Sequence, residues 1–273
     1  MVFGRIPWHY CIALCTLHGI VTVRSGIIAN KTIYTDDDGN EYHGFISRPS
    51  DMQQDSEDNQ RPAVLIIHDW NGLDNYEMRR ARMITEQFGY VALAADIFGD
   101  GKTGKSNKEN SALIRPFKQD ANAFVERLNT SLNYLKSLPY VDADKIAAIG
   151  YCFGGTGVLH MARFGLQLRG VASFHGGLSP VPSGQLPDPL PEIEAEILVM
   201  TGYNDPLIPP EMVALFGQEM TARNADWELI SYSGTYHSFT VPGSNHTNRA
   251  VYSERADERS WSRTGSYFKK LFE

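Results

Sequence analysis

The sequence predicts a doubly wound α/β fold: a mostly parallel sheet covered by helices, with an antiparallel hairpin at its N-terminal end. Three observations predict it. Short, nearly continuous apolar runs recur at 63–68, 91–95, 145–150, 170–174 and 196–201, the pattern of strands buried on both faces of a parallel sheet. Segments with helical spacing alternate with these runs, and such alternation builds βαβ units. The 273 residues, 42% of them hydrophobic, suffice for one large sheet and its core. No repeat, linker or composition shift divides residues 26–273, so one domain is expected there.

The elements follow in chain order. Residues 1–25 read as an export signal: Arg5 gives a weak positive start, 11–23 an apolar stretch interrupted by His18, and Val23-Arg24-Ser25 a cleavage site. A mature start near Gly26 and a secreted or periplasmic protein are expected; a retained N-terminus would mean a cytoplasmic one. The run is too short and broken to span a bilayer, so stable membrane insertion is not expected. Of the 3 cysteines, removal of this segment would take Cys11 and Cys15 and leave Cys152. Asn30, Asn129 and Asn245 head N-x-[ST] sequons, relevant only in a glycosylating host.

Residues 31–34 and 41–46 flank Asp36-Asp37-Asp38-Gly39-Asn40 and predict the hairpin; 51–61 is polar and loop-like. Helical faces are marked by Met78, Met83, Ile84 and Phe88, then by Phe124, Leu128, Leu132 and Leu135. A further face (Met212, Leu215, Phe216, Met220) follows the start signal Pro209-Pro210, and Trp261, Phe268 and Leu271 suit a closing helix. Residues 227–231 are one more strand.

Composition excludes some functions. A net charge of −7 without a basic cluster argues against nucleic-acid binding. No CxxC pair and no HExxH occurs, so neither a structural metal nor a disulfide framework is expected.

In a parallel sheet the reactive groups lie just beyond the carboxyl ends of the strands. There the chain offers His68-Asp69-Trp70, Asp96, Tyr151-Cys152-Phe153, His175-Gly176-Gly177, Tyr203-Asn204-Asp205 and the loop of His237. Gly150-Tyr151-Cys152-Phe153-Gly154 is G-x-C-x-G, a nucleophile elbow with cysteine in place of serine. An apolar run precedes it, and the helix-compatible Val158, Leu159, Met161 and Ala162 follow. A helix N-terminus beside the sulfur is expected to favour thiolate. A buried structural cysteine is the bland alternative. A phosphate loop lacks its lysine, and a dinucleotide site lacks an acidic residue closing the next strand, which ends Phe174-His175.

The α/β-hydrolase order of nucleophile, acid and histidine selects the partners. Asp205 and His237 stand where it requires, with Asp205 orienting His237. His175 precedes the acid and breaks the order; it reads as a pocket wall or a satisfied structural histidine. His68 suits the shaping of the oxyanion loop. Asp188, in a proline-rich loop, and Asp226, ahead of an edge strand, are weaker acids. Backbone N–H groups of Phe153 and of Trp70 or its neighbour are the expected oxyanion donors. Asp69, His68, Tyr151 and His175 are the candidate pocket residues or thiol partners.

At these residues the chain resembles the dienelactone hydrolase family (carboxymethylenebutenolidases and relatives). The resemblance spans residues 40–272 and rests on Ile67-His68-Asp69-Trp70-Asn71-Gly72-Leu73, the elbow through Gly155, Ser173-Phe174-His175-Gly176-Gly177, Asp205-Pro206-Leu207-Ile208-Pro209 and His237-Ser238-Phe239. It implies a Cys–His–Asp triad, no metal or cofactor, and hydrolysis of a small-molecule ester or lactone through a thioester. Two positions depart from the family. Its thiol-contacting glutamate is Asp69 here, with about 1.5 Å less reach toward the sulfur. Its carboxylate-binding arginine, two residues past His-Ser-Phe, is Val241, with Arg79, Arg80 and Arg115 as alternative sources of charge. A monomer is expected. The rival readings are a catalytically silent binding domain and a thiol-redox protein, the latter lacking a resolving cysteine near Cys152.

Overall fold

The computed structural model describes residues 26–52 and 60–273. The expected export segment, with Cys11 and Cys15, lies outside the described residues. No described helix is long and apolar enough to cross a membrane.

The chain opens with the antiparallel hairpin of β1 (Ile27–Thr35) and β2 (Glu41–Pro49), longer at both ends than the apolar pattern predicts. Its turn closes on Asp36, whose Oδ1 accepts the N–H groups of Asp38 and Asn40. There follow β3 (Arg61–Ile67), α1 (Asn75–Phe88), β4 (Val91–Ala95), α2 (Asn107–Gln119), α3 (Ala121–Ser137), β5 (Val141–Tyr151), α4 (Phe153–Arg163), β6 (Gly170–Phe174), β7 (Glu196–Gly202), α5 (Pro210–Ala222) and β8 (Trp227–Tyr232). A short ribbon of β9 (Asn245–His246) and β10 (Ala250–Val251) precedes the closing helix α6 (Glu254–Phe272). The eight-stranded sheet has the order β1-β2-β4-β3-β5-β6-β7-β8. It is parallel from β4 to β8, and β2 joins β4 antiparallel.

Alternate residues of the inner strands feed two cores. Leu65, Leu93 and Ala148 face α2–α5, meeting Ile114, Phe124, Leu128, Val158 and Phe216. Val64, Ile66, Ala92 and Ile149 face α1 and α6, meeting Ala81, Ile84, Tyr267 and Phe268. With both faces covered, these strands carry no polar side, hence their continuous apolar runs. Helix α2 is not among the elements that the spacing predicts. It is polar and carries Pro116, yet Ser106 caps it by accepting the Glu109 N–H, and Ile114 anchors it.

Asp96 ties the hairpin to the loop after β4. Its carboxylate, 1% exposed, accepts N–H groups from His43, Phe98, Gly99 and Gly101 at 2.8–3.1 Å. Asp96→Ala orphans four donors and is expected to lower the unfolding free energy by about 3 kcal/mol or more. Urea titration with an unchanged m-value measures this; a loss under about 1 kcal/mol would mean that water satisfies these groups.

Candidate active site

The strand ends converge as the parallel topology requires. Cys152 follows β5 at φ 50° and ψ −107°, between the strand and the first residue of α4. The flanking glycines are steric necessities here. A Cβ on Gly150 would lie 2.1 Å from the Gly154 carbonyl oxygen, and one on Gly154 would lie 2.2 Å from that of Ile67. Cys152 is the free cysteine among the described residues and keeps part of its surface open.

His237 Nε2 lies 3.1 Å from Cys152 Sγ, and His237 Nδ1 lies 2.7 Å from Asp205 Oδ2. The other Asp205 oxygen accepts the Leu207 N–H at 2.8 Å. The His237 backbone is pinned on both sides, its N–H donating to Arg249 and its carbonyl accepting from Val251. The β9–β10 ribbon therefore supports the histidine, a feature too short to leave a sequence pattern.

Asp69 and Trp70, on the loop after β3, are both half-buried. The Asp69 carboxylate acts electrostatically on the Cys152 thiol, its negative charge opposing ionisation of the sulfur. Its Oδ1 also accepts the Trp70 N–H at 2.5 Å, so this expected oxyanion donor is engaged by the neighbouring carboxylate. The Phe153 N–H, at the first position of α4, acts to lower the Cys152 pKa. Glu77, 1% exposed, braces the loop from beneath by accepting the Asp69 and Asp74 N–H groups. Burial pushes the Glu77 carboxyl well up, with the nearby Asp74 adding to it. The E of a capping box at α1 was the available signal for this residue.

The electrostatics correct one expectation. Burial, and then the Asp69 charge, push the Cys152 thiol well above its ordinary value, outweighing the helix N-terminus and the Phe153 N–H. Burial also raises Asp69, which the Trp70 N–H and His237 partly offset. Burial and the Asp69 charge thus oppose the thiolate that the elbow position alone predicts.

Three expected pocket residues do not line one. His68, Tyr151 and His175 are each 0% exposed. His68 holds the loop: Nδ1 lies 2.6 Å from the Asp69 carbonyl oxygen and Nε2 accepts the Ile97 N–H. Tyr151 stacks on Phe174 and meets Tyr76 edge-on. His175 lies behind the elbow, accepting the Cys152 N–H. Of the arginines weighed above, Arg80 is 2% exposed and ion-paired with Asp257. Arg79 is exposed over the Tyr76 ring, and Arg115 is exposed on α2.

The doubly wound sheet, with an elbow after its central strand and an acid and a histidine beyond later strands, defines an α/β-hydrolase. Residues 51–272 match the dienelactone hydrolase family, and the chain belongs to it; it is a hydrolase of carboxylic esters or lactones. An uncharacterized protein of Caenorhabditis elegans is 38% identical over 149 residues, covering 54% of this chain and 92% of its own. A probable 2-oxo-3-(5-oxofuran-2-ylidene)propanoate lactonase of Bradyrhizobium is 25% identical, covering 76% of this chain and 83% of its own. Among solved structures, a dienelactone hydrolase-like promiscuous phosphotriesterase from metagenomic libraries superposes with a TM-score of 0.81 at 30% identity. That match covers 90% of this chain and 99% of that one.

Proposed function

We propose that the hydrolase unit, residues 26–273, cleaves a small neutral ester or lactone through a thioester on Cys152, with His237 as base and Asp205 orienting it. The supporting observation is the hydrogen-bonded series Sγ–Nε2–Nδ1–Oδ2, at 3.1 and 2.7 Å. Because burial and the Asp69 charge oppose a resting thiolate, His237 Nε2 takes the thiol proton as sulfur attacks the acyl carbon. The Phe153 N–H, and the Trp70 N–H once Asp69 releases it, receive the oxyanion. Collapse expels the alkoxide, which takes the proton from His237. Water activated by the same histidine then cleaves the thioester, returning the thiol and releasing the acid.

The preference for neutral substrates rests on Val241 and on Arg80 being committed to Asp257. A buried carboxylate without a charged partner pays for desolvation that neutral groups offset only in part. An anionic lactone should lose roughly ten- to hundredfold in kcat/KM against its neutral analogue, and Val241→Arg should narrow the gap. The test is a panel of aryl esters, neutral lactones, carboxylate-bearing lactones and a phosphotriester, each with and without exhaustive iodoacetamide treatment. Turnover of the neutral acyl substrates, abolished by alkylation, is expected. Full turnover after stoichiometric alkylation of Cys152 would end the thiol mechanism, and a wild-type preference for the anionic lactone would end the charge argument.

A further inference from the structure

We propose that His175 is a positioning residue of the elbow: a neutral ring, held by Thr240, that ties the Cys152 backbone to the loop carrying His237. Its Nδ1 lies 3.1 Å from the Cys152 backbone nitrogen, and its Nε2 lies 2.8 Å from Thr240 Oγ1. An amide N–H can only donate, so Nδ1 accepts and the ring proton sits on Nε2, directed at Thr240. Thr240 stands three residues beyond His237 on the same loop. The tie is anchored further back. Tyr76 OH donates to Thr240 Oγ1 at 2.7 Å, Arg80 Nε–H donates to Tyr76 OH at 3.2 Å, and Arg80 also reaches the Thr240 carbonyl and Asp257.

Filling hydrogen bonds does not by itself account for this ring. The Cys152 N–H already has the Phe174 carbonyl oxygen at 3.0 Å, and Thr240 Oγ1 already has Tyr76. What His175 adds is a rigid link between two segments whose separation sets the Cys152–His237 distance. One end and the link itself are held in sparsely populated backbone: Cys152 at φ 50° and His175 at φ 43°. Such geometry persists only where the surroundings over-determine it. The ring is 0% exposed and meets His237 and Phe239 from the base loop, with Tyr151 at the end of β5 and Arg80 of α1 nearby. Burial, then His237 and Arg80, hold its pKa well below the ordinary value, so the acceptor on Nδ1 is kept.

This rests on Cys152 being the nucleophile, which Cys152→Ala tests separately. The amide of asparagine falls where Nδ1 is, and that of glutamine where Nε2 is. His175→Asn therefore keeps the elbow contact, whereas His175→Gln keeps only the Thr240 contact. In the full chain, His175→Gln should lower kcat about tenfold with KM within about twofold, and His175→Asn should lose under about threefold. Thr240→Val should fall between them, and Thr240→Ser should recover. A second readout needs no turnover: the pH midpoint of iodoacetamide reaction at Cys152 should rise by about half a unit in the glutamine variant, as the Phe153 N–H leaves the sulfur. Equal losses in the asparagine and glutamine variants, or losses that follow Tm with the alkylation midpoint unmoved, would overturn the proposal. They would leave His175 a packing residue.

Discussion

Cys152→Ala is expected to cut kcat/KM for the best neutral ester by roughly ten thousandfold or more, the scale of nucleophile removal in other triads. The variant should fold, because the side chain makes no core contact that alanine would leave as a large void, and the strained backbone is held by its neighbours. Cys152→Ser should keep measurable esterase activity, since oxygen can receive the same base geometry. Serine is also the sharper probe of the surroundings. Burial and Asp69 raise the thiol, so the proposed cysteine mechanism requires His237 to remove the proton during attack. The resting thiol should accordingly react slowly with iodoacetamide near neutral pH and faster as pH rises. A Cys152→Ala variant within tenfold of wild type would remove Cys152 from the mechanism; rapid alkylation at pH 6 would remove the resting thiol.

The sequence carries some of this design plainly and hides the rest for physical reasons. Strands β3 to β7 announce themselves because both faces are covered, so a single apolar run marks each. The first residues of β5 do not: Asp142 and Asp144 precede the apolar run that marks the strand and read as loop. Cys152, Asp205 and His237 could be ordered along the chain because each follows a strand in a sheet whose loops share one edge. That rule fails for His68, Tyr151 and His175, which also end strands. Whether a residue after a strand faces the opening or the core depends on backbone angle and packing, as the positive φ of His175 illustrates. Thr240 and Arg80 are hidden more deeply. Their roles come from bonds between distant segments, and nothing in the neighbouring sequence marks a threonine as an acceptor for a histidine. Asp69 is a further case: the loop, held from below by Glu77 and His68, turns its carboxylate onto the Trp70 N–H, a contact that nothing in the sequence marks.

Removal of His237 and Asp205 together is expected to cost little more than removal of His237 alone. His237→Gln should lower kcat by about ten thousandfold, and Asp205→Asn by a similar order, because an amide facing Nδ1 favours the wrong tautomer. In the proposed mechanism Asp205 acts only through the histidine: its side chain is 0% exposed, one oxygen faces Nδ1 and the other is taken by the Leu207 N–H. With the imidazole gone there is no tautomer left to fix and no imidazolium to stabilise, so the second substitution has nothing further to remove. The double variant should thus show a coupling of about 5 kcal/mol in transition-state free energy, the whole of the Asp205 effect. Stability should move in a different pattern. His237→Gln leaves a buried carboxylate short of its partner and should lower Tm, whereas adding Asp205→Asn removes that unpaired charge and should restore part of the loss. Additive losses in kcat would show that Asp205 does its work elsewhere, and His237 would then need another residue to orient it.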